Sequence, residues 1–345
     1  TTMHVDRFNY QLPEHLIAQV PLKNRDDSRL LILNKGKNTT DIIERFRDVV
    51  SFFRPGDLLV INNSKVIPAR LIGRKKHTSG KVEILLIQEE RVRTWKALVK
   101  PARRIHCGDT LVFEHGVLEA EVAQEGRAGE RTMVFSYEGE WNDILASIGH
   151  VPLPPYIKRP LKNSERYQTV YASRPGSVAA PTAGLHFTQP LLEAIVAAGV
   201  LVAEITLHVG TATFRPFLDE TIQTEPHLDP EYCDIPLAVA EAVRTARSRK
   251  GRIIAVGTTA VRTLESRGLD DGTVEAGSGW TSLFISPPYQ FRVVDAMITN
   301  FHLPKSTLLM LVCAFAGHET VMEAYRKAIE QEIRFYSFGD AMFII

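Results

Sequence analysis

The chain has 345 residues, of which 44% are hydrophobic and 23% are charged, so it can bury a core and is not intrinsically disordered. Its 41 Lys and Arg residues nearly balance its 40 Asp and Glu residues, and the net charge of +1 excludes a globally basic nucleic-acid-binding coat. Three distant cysteines exclude a disulfide framework, and the longest strongly apolar run, 308–316, is about half of a membrane span. With no apolar signal region at the start, we expect a soluble cytoplasmic protein of roughly two domains.

The pattern of predicted elements changes at about residue 57. Before it, 30–33 predicts a strand and 46–53 a short helix that ends at Pro55 and Gly56. Six short runs of strand formers then follow, separated by Gly, Asn, Asp and Ser, at 57–62, 81–87, 94–99, 110–114, 117–122 and 132–137. Such strands predict a small antiparallel β-barrel. We therefore predict an inserted β-barrel domain at 57–150, within an α/β catalytic domain formed by 1–56 and 151–345.

Helix and strand patterns alternate in the rest of the chain. The stretch 151–160 holds four prolines and predicts an extended return linker. Helices are predicted at 188–198, 237–249, after 258 or 259, at 306–315 and at 319–330, with strands at 201–207, 252–256, 291–298 and 341–345. The predicted fold class is therefore α/β, a mostly parallel-sheet α/β domain with an inserted small antiparallel β-barrel domain.

Polar segments follow the predicted strands, where ligands bind in open parallel sheets. The segments 208–214, 257–259 and 299–304, with the loop 179–187, are rich in His, Thr, Asn and Gly. One cleft is therefore predicted, lined by His186, His208, Thr258, Thr259, Arg262, Asn300 and His302. Each residue also has a structural explanation, since a lone histidine at a strand end is more often simply hydrogen-bonded and a threonine there can cap a helix.

The Gly-Thr-Thr sequence at 257–259 is the clearest candidate anion site. Backbone N–H groups and the positive dipole end of a helix suit a carboxylate or a phosphate. Arg262 could pair with the same anion or form a surface salt bridge, and Gly184 and Gly210 either admit a ligand or only make turns. Dinucleotide-binding, P-loop, metalloprotease and serine-hydrolase motifs are absent, so no metal site is predicted.

Three clusters of basic residues occur at 70–76, 100–104 and 158–166. A solvated charged face is the ordinary explanation, and a phosphate-tracking surface between the two domains is the functional one. Tyrosines beside the third cluster could stack on unpaired bases. The predicted RNA-binding residues are Arg70, Arg103, Arg104, Tyr156, Lys158, Arg159 and Tyr167.

Nine segments, in order along nearly the whole chain, resemble the S-adenosylmethionine:tRNA ribosyltransferase-isomerases of queuosine biosynthesis. They are LPEHLIAQVP at 12–21, NNSKVIPAR at 62–70, PLPPYI at 152–157, ERYQTVYA at 165–172, AAPTAGLHF at 179–187, TLHVG at 206–210, AVGTTAVRTLES at 255–266, TNFHLPKSTL at 299–308 and SFGDAM at 337–342. The resemblance implies the same α/β fold with an inserted barrel.

The resemblance also implies a reaction. The ribosyl part of S-adenosylmethionine is transferred to 7-aminomethyl-7-deazaguanine at the tRNA wobble position and isomerised, giving epoxyqueuosine, while adenine and methionine leave. S-adenosylmethionine is then a consumed substrate and no separate cofactor is expected. The partners are the tRNA anticodon loop and S-adenosylmethionine, with no membrane, and we expect a monomer.

Site roles follow from this chemistry. The carbon next to the sulfonium is acidified, so a base is needed, and the candidates are His186, His208 and His302. Asp340 or a histidine would protonate the departing adenine. The methionine carboxylate suits 257–259 and Arg262, and the sulfonium favours an aromatic face such as that of Phe187, Phe214 or Phe301. The predicted substrate-binding residues are Thr182, Gly184, Phe187, Gly210, Thr258, Thr259, Arg262 and Asn300.

The sequence departs from the family pattern at a few positions. Ala212 and Pro288 stand where glycine is usual, and Pro226 and Asp229 stand where a pair of histidines is common. Three other functions therefore stay open: another S-adenosylmethionine-dependent RNA-modifying enzyme such as a methyltransferase, a non-catalytic tRNA-binding protein, or a metabolic α/β enzyme without RNA.

Overall fold

The structure is a computed structural model that describes residues 3–210, 221–222 and 228–345. The sequence-based interpretations of Ala212, Phe214 and Pro226 therefore lie outside the described residues. The chain divides into two compact units, an α/β unit formed by Thr1–Lys65, Pro154–Arg174 and Ala180–Ile345, and a barrel unit formed by Val66–Leu153 and Pro175–Ala179.

The strands of the described residues are numbered in chain order. They are β1 Met3–His4, β2 Leu30–Asn34, β3 Thr39–Ile43, β4 Leu58–Asn62, β5 Ser64–Val66, β6 Arg70–Lys75, β7 Lys81–Arg91, β8 Thr94–Lys100, β9 Thr110–Phe113, β10 Leu118–Glu125, β11 Glu130–Ser136, β12 Arg174–Ser177, β13 Leu201–Leu207, β14 Thr221–Ile222, β15 Glu231–Ile235, β16 Ile253–Val256, β17 Gly277–Thr281, β18 Ala296–Asn300 and β19 Ala341–Ile344. The α-helices are α1 Trp141–Ile148, α2 Gln189–Ala197, α3 Leu237–Ser248, α4 Gly257–Ser266, α5 Thr307–Ala316 and α6 His318–Glu330.

The α/β unit is organised around a large mixed sheet. Within the described residues it has nine strands in the order β17-β15-β13-β4-β16-β18-β19-β2-β3. The four neighbours β13, β4, β16 and β18 run parallel, and antiparallel pairs occur towards both edges. The predicted α/β class with an inserted β-barrel is confirmed. The parallel centre brings the carboxyl ends of four strands to one edge of the sheet.

One strand lies elsewhere than the sequence analysis placed it. The run 57–62 was assigned to the barrel, but β4 pairs with β13 and β16 in the centre of the large sheet. All five residues of β4 are buried. A continuous buried apolar run is typical of a parallel strand covered on both faces, which explains the difference.

Helices cover both faces of the sheet. Leu58 and Val60 belong to a core formed with α3, α4, α5 and α6, while Leu59 and Ile61 pack with α2 and the 3₁₀ segment Phe46–Phe52 on the opposite face. Side chains alternate across a strand, so each strand supplies both cores. The sheet is therefore fixed between two apolar layers, which leaves its strand ends as the place for a polar site.

The helix starts agree with the capping signals in the sequence. Thr188 is the N-cap of α2, where its Oγ1 accepts the N–H of Leu191 at 3.2 Å, and Ser306 caps α5 in the same way through Leu309. The predicted helices at 188–198 and 306–315 are thus confirmed within a residue or two.

The predicted strand 291–298 was wrong in its first half. The strand β18 begins at Ala296, because the backbone N–H groups of Arg292, Val293 and Val294 donate to the buried carboxylate of Glu265 at 2.9–3.0 Å. Those N–H groups are therefore not available to a neighbouring strand.

The barrel unit is a closed antiparallel barrel in the order β10-β11-β8-β7-β6-β9. Alternate residues such as Val82, Ile84 and Leu86 of β7 point into its core. The strand β6 and the helix α1 were not predicted from the sequence.

Among the described residues no single helix is long and apolar enough to cross a membrane. The helices α5 and α6 together have the length and composition of a span, but they are bent by 114° relative to each other.

Candidate functional site

A cleft of about 430 Å³ opens in the α/β unit at the carboxyl ends of the central parallel strands. It is lined by the loop 180–183, by Val209 after β13, by the first turns of α4 and by residues at and after β18. Of the predicted site residues it brings together Thr182, Thr258, Thr259, Arg262, Asn300 and His302. They converge because parallel strands end at the same edge.

Arg262 is the largest fully buried side chain of the cleft wall. Its Nη1 donates to Oε2 of Glu231 at 2.6 Å and its Nε donates to the carbonyl of Leu283 at 3.2 Å. The remaining Nη2 is buried without a hydrogen-bond partner. Glu231 and the Leu283 carbonyl therefore fix the guanidinium and leave its Nη2 amino group for a ligand.

Sequence reasoning missed Glu231, although a signal was present. Glu231, Cys233 and Ile235 alternate along β15 and all three are buried. An acid on the apolar face of a strand needs a buried partner, since an unpaired buried carboxylate is costly. Its second oxygen, Oε1, accepts the backbone N–H of Gly210 at 2.8 Å, which places that predicted residue beside the ion pair rather than in the cleft lining.

The first turn of α4 is held by an asparagine that the sequence analysis did not single out. The Nδ2 of buried Asn62, at the end of β4, donates to Thr259 Oγ1 at 3.2 Å and to the carbonyl of Leu207 at 3.0 Å. Gly257 starts the helix with φ of +85°, a value that favours glycine. The N-terminus of α4 is thereby fixed at the cleft. The N–H groups of its first turn have no partner within the helix, so a ligand in the cleft can bind them.

His302 lines the same cleft. Its Nε2 is 2.7 Å from Thr299 Oγ1, and its backbone N–H donates to the hydroxyl of Tyr325 at 2.8 Å. Burial lowers the pKa of His302 to about 3, so the ring is neutral at pH 7.

His186 lies in a second cavity, of about 280 Å³, formed by 21–28, 166, 185–186 and 334–339. Its Nδ1 is 2.7 Å from Ser28 Oγ, and its Nε2 has no hydrogen-bond partner of good geometry. Burial lowers the pKa of His186 to about 4, against the opposing influence of Asp340 and Asn300. Asn300 also lines the first cleft, so the His186–Asn300 pair stands between the two cavities.

Three other predicted residues lie outside the lining of both cavities. His208 stacks on Tyr232, with ring centroids 5.6 Å apart, and burial lowers its pKa to about 4. Asp340 is buried and accepts the backbone N–H groups of Arg29 at 2.9 Å and Arg334 at 2.8 Å. Gly184 is a tight packing position, since a Cβ there would lie 2.2 Å from the Tyr171 hydroxyl.

Of the aromatic side chains expected near a sulfonium, Phe187 and Phe301 lie in the core, and Phe214 is outside the described residues. Phe187 is fully buried against Phe46, and Phe301 is fully buried against Tyr325 and Phe335. Both belong to apolar clusters that line the faces of the sheet. Phe187 and Phe301 are next to polar motifs in the sequence, but their rings point into the core and not into the cleft.

The predicted RNA-binding residues differ in exposure. In the barrel unit, Arg70 forms a two-bond ion pair with Glu83 at 2.8 and 2.9 Å, and Arg103 and Arg104 are exposed. In the α/β unit, Lys158 pairs with Glu14 at 2.8 Å and Arg159 is exposed. Tyr156 is half-buried, and its hydroxyl hydrogen-bonds Ser337 Oγ. Tyr167 is fully buried, and its stacking on a base stays a prediction.

Within the described part of the chain, no group of three or more His, Cys, Asp and Glu residues is arranged to hold a metal ion.

Comparison with known proteins identifies the family. The model of a family described as queuosine biosynthesis protein matches residues 5–344. A Natranaerobius thermophilus protein named S-adenosylmethionine:tRNA ribosyltransferase-isomerase is 52% identical over 99% of both chains. A Thermoanaerobacter protein of the same name is 50% identical over 99% of this chain and 100% of its own. The crystal structure of an S-adenosylmethionine tRNA ribosyltransferase from Thermotoga maritima matches with a TM-score of 0.57 and 39% identity, over 98% of this chain and 100% of that one. The resemblance noted from the sequence is confirmed, and the chain belongs to the queuosine biosynthesis protein family.

Proposed function

We propose that this enzyme transfers the ribosyl moiety of S-adenosylmethionine onto 7-aminomethyl-7-deazaguanine at the tRNA wobble position and isomerises it to give epoxyqueuosine. Adenine and methionine leave, and S-adenosylmethionine is consumed without a further cofactor. One observation carries the proposal: the family match over 5–344 coincides with a polar cleft at the carboxyl ends of four parallel strands.

The methionine carboxylate binds at the first turn of α4. The N–H groups of Gly257, Thr258 and Thr259 and the unpartnered Nη2 of Arg262 provide its donors. Glu231 already holds the guanidinium in place, so binding requires little reorganisation.

His186 is the base that removes the proton from the carbon next to the sulfonium. Ser28 Oγ donates to the carbonyl of Arg25 at 3.4 Å, so Ser28 accepts the N–H of His186 Nδ1 and leaves Nε2 with a free lone pair. The lowered pKa, about 4, keeps this nitrogen unprotonated at pH 7.

Asp340 and Asn300 act through His186. Both favour the protonated ring, so they stabilise the imidazolium that forms when the base takes up its proton. The same imidazolium is then the acid that returns a proton to the departing adenine. Asp340 is a positioning residue, because backbone N–H groups occupy its two oxygens.

Release of adenine tests the reaction. The purified chain is incubated with S-adenosylmethionine and tRNA carrying the modified wobble base, and free adenine is measured by chromatography. We expect adenine in proportion to modified tRNA, and none with tRNA that carries guanine at that position. Methyl transfer without adenine release would identify a methyltransferase, and RNA binding without reaction would identify a binding protein.

Histidine variants test the base in the same assay. His186→Gln should lower the rate of adenine release by about 10² to 10⁴, the usual contribution of a general base. His208→Gln is the matched control, because this partly buried histidine with a similarly lowered pKa lines neither cavity. Equal effects of the two variants would refute the assignment.

The remaining expectations belong to the same proposal. We assign the anticodon loop of tRNA as the RNA partner and a cytoplasmic monomer as the working form. Light scattering of the purified chain tests the monomer.

A further inference from the structure

The second cavity carries positive charge that the proposed chemistry does not use. Three arginines, Arg25, Arg166 and Arg334, line it together with Ser28 and His186. Of these residues the proposed mechanism employs His186 and Ser28 and leaves the arginines without a role.

Two of these guanidinium groups have no carboxylate partner. Arg25 donates to the carbonyls of Glu165 at 3.0 Å and Leu185 at 3.4 Å. Arg166 donates to the carbonyl of Leu22 at 2.7 Å and also to that of Lys23, at 3.2 Å. Among the described residues the hydrogen bonds of both groups go to backbone carbonyls, and the charge of Glu165 acts on Arg25 without a direct ion pair.

Arg334, in contrast, is neutralised. Its Nη2 lies 3.1 Å from Oδ1 of Asp340, which is buried. The uncompensated charge of the cavity therefore comes from Arg25 and Arg166, whose positions are fixed by backbone carbonyls rather than by acids.

The two unpaired cations are close enough to repel each other. Burial lowers the pKa of Arg25 and the charge of Arg166 lowers it further, whereas the charges of Glu165 and Tyr171 oppose this shift. Burial also lowers the pKa of Arg166, and its Nε is buried without a partner. Like charges held together at a partly desolvated site favour an anion that satisfies both, and the guanidinium fork matches phosphate oxygens.

The cavity is also next to the proposed reaction site. His186, 3% exposed and with an unpartnered Nε2, lines this cavity, whereas Asn300, which interacts with His186, lines the first cleft. A nucleotide whose base enters the first cleft would thus have a backbone phosphate within reach of the second cavity. The methionine carboxylate already has donors at α4 and Arg262.

We propose that Arg25 and Arg166, in the cavity that His186 also lines, bind a phosphate group of the RNA backbone beside the nucleotide being modified. The inference rests on the proposed function. It adds the recognition of RNA by two partly buried arginines, only one of which, Arg166, belongs to a basic cluster in the sequence.

Salt-dependent RNA binding tests this inference. The affinity of the full chain for unmodified tRNA transcript is measured by filter binding over a series of KCl concentrations, for the wild type, Arg25→Met and Arg166→Met. Methionine keeps the apolar stem of each side chain and removes the charge. We expect each variant to bind tRNA about 10-fold more weakly and to lower the slope of log affinity against log salt by about 1. Arg326→Met is the matched control, because that exposed arginine pairs with Glu323 and Glu330 and its loss should leave the slope unchanged.

Three further measurements separate the possible results. Thermal melting shows whether each variant is folded, and Arg166→Lys, which keeps the charge, should recover most of the salt slope even if Arg166→Met is unstable. S-adenosylmethionine affinity is measured by calorimetry without RNA. Loss of that affinity with unchanged tRNA binding would assign the cavity to the methionine carboxylate and overturn the proposal. Unchanged salt slopes in both arginine variants would also overturn it.

The phosphate site and the proposed reaction can fail separately. If the wild type releases adenine but the salt slopes of the variants are unchanged, only the phosphate site is refuted. If the slopes change but the wild type releases no adenine, only the proposed reaction is refuted.

Discussion

Ion pairs at the surface of the barrel unit can be compared with the charged residues that surround the candidate site of the α/β unit. In the barrel, basic residues that cluster in the sequence lie at the surface beside acids. Arg70 pairs with Glu83 and Lys76 with Glu119, and both cations are 47% exposed. Water and salt screen such pairs, so their net charge and their contribution to stability are small.

The α/β unit also has exposed ion pairs, such as Arg326 with Glu323, but the ion pair at its cleft is buried. Arg262 and Glu231 are 2% and 6% exposed, and their pair is closed to water. Arg25 and Arg166 have carbonyl partners without any carboxylate among the described residues. A run of basic residues in a sequence therefore does not predict which cations can bind an anion. Whether a cation can do so depends on whether an acid already neutralises it and on how far it is buried.

The largest expected effect comes from breaking the buried pair. Arg262→Met leaves Glu231 buried with only the Gly210 N–H as a partner. Removal of one member of a buried ion pair costs about 3–5 kcal/mol of folding free energy, because the other charge is left unpaired. Urea unfolding of the variant measures this loss, and S-adenosylmethionine binding should also fall.

A double variant makes this prediction specific. Arg262→Met combined with Glu231→Gln removes both charges and should recover much of the lost stability but not the binding of S-adenosylmethionine. Arg326→Met, at an exposed pair, is the control for loss of an arginine. A single Arg262→Met variant as stable as the wild type would show that burial does not distinguish the two regions.

The centre of the fold was predictable because its pattern is strong. The strand 201–207, the helix after Thr188 and the apolar helix near 306 follow from periodicity and capping residues, and each is observed close to its predicted bounds. The edge strand β17 and its neighbour β15 were missed, and GSGWT in β17 carries no apolar alternation. Parallel or antiparallel pairing at an edge depends on partners distant in sequence.

The site was predictable in part for a related reason. Residues at strand ends converge by topology, so the placement of Thr258, Asn300 and His302 in one cleft needs only the strand assignment. The groups that tune them are remote: Ser28 and His186 are 158 residues apart. The direction of a ring such as Phe187 depends on packing, and a motif alone does not determine it.

The buried histidines of the α/β unit test whether burial changes how a charged group contributes to stability. His186 and His302 have pKa values of about 4 and about 3, lowered by burial, against roughly 6.5 in the unfolded chain. Above about pH 6.5 both states are neutral and this stability is complete. As the pH falls from about 6.5 towards about 4, the unfolded chain takes up protons first, so stability is lost by about 1.4 kcal/mol per pH unit for each histidine.

Variants isolate that contribution. His302→Gln should reduce the loss of unfolding free energy by about 1.4 kcal/mol per pH unit, the contribution of one proton. Urea unfolding at several pH values measures this change. His77→Gln, at an exposed position in the barrel unit, is the matched control. The same pH slope in His302→Gln and in the wild type would contradict the neutral buried state of the ring.

The smallest expected effect is at the barrel surface. Arg70→Met removes an exposed partner of Glu83, and such pairs contribute about 0.2–1 kcal/mol to stability. The pair should weaken further as salt is added, because both groups are solvated. Since Glu83 neutralises Arg70, the salt slope of tRNA binding should also change far less than in Arg25→Met or Arg166→Met. If Arg70→Met changed the salt slope as much as Arg25→Met or Arg166→Met, the basic clusters at the surface would be the groups that bind RNA. The arginines without an ion-pair partner would then have no special role.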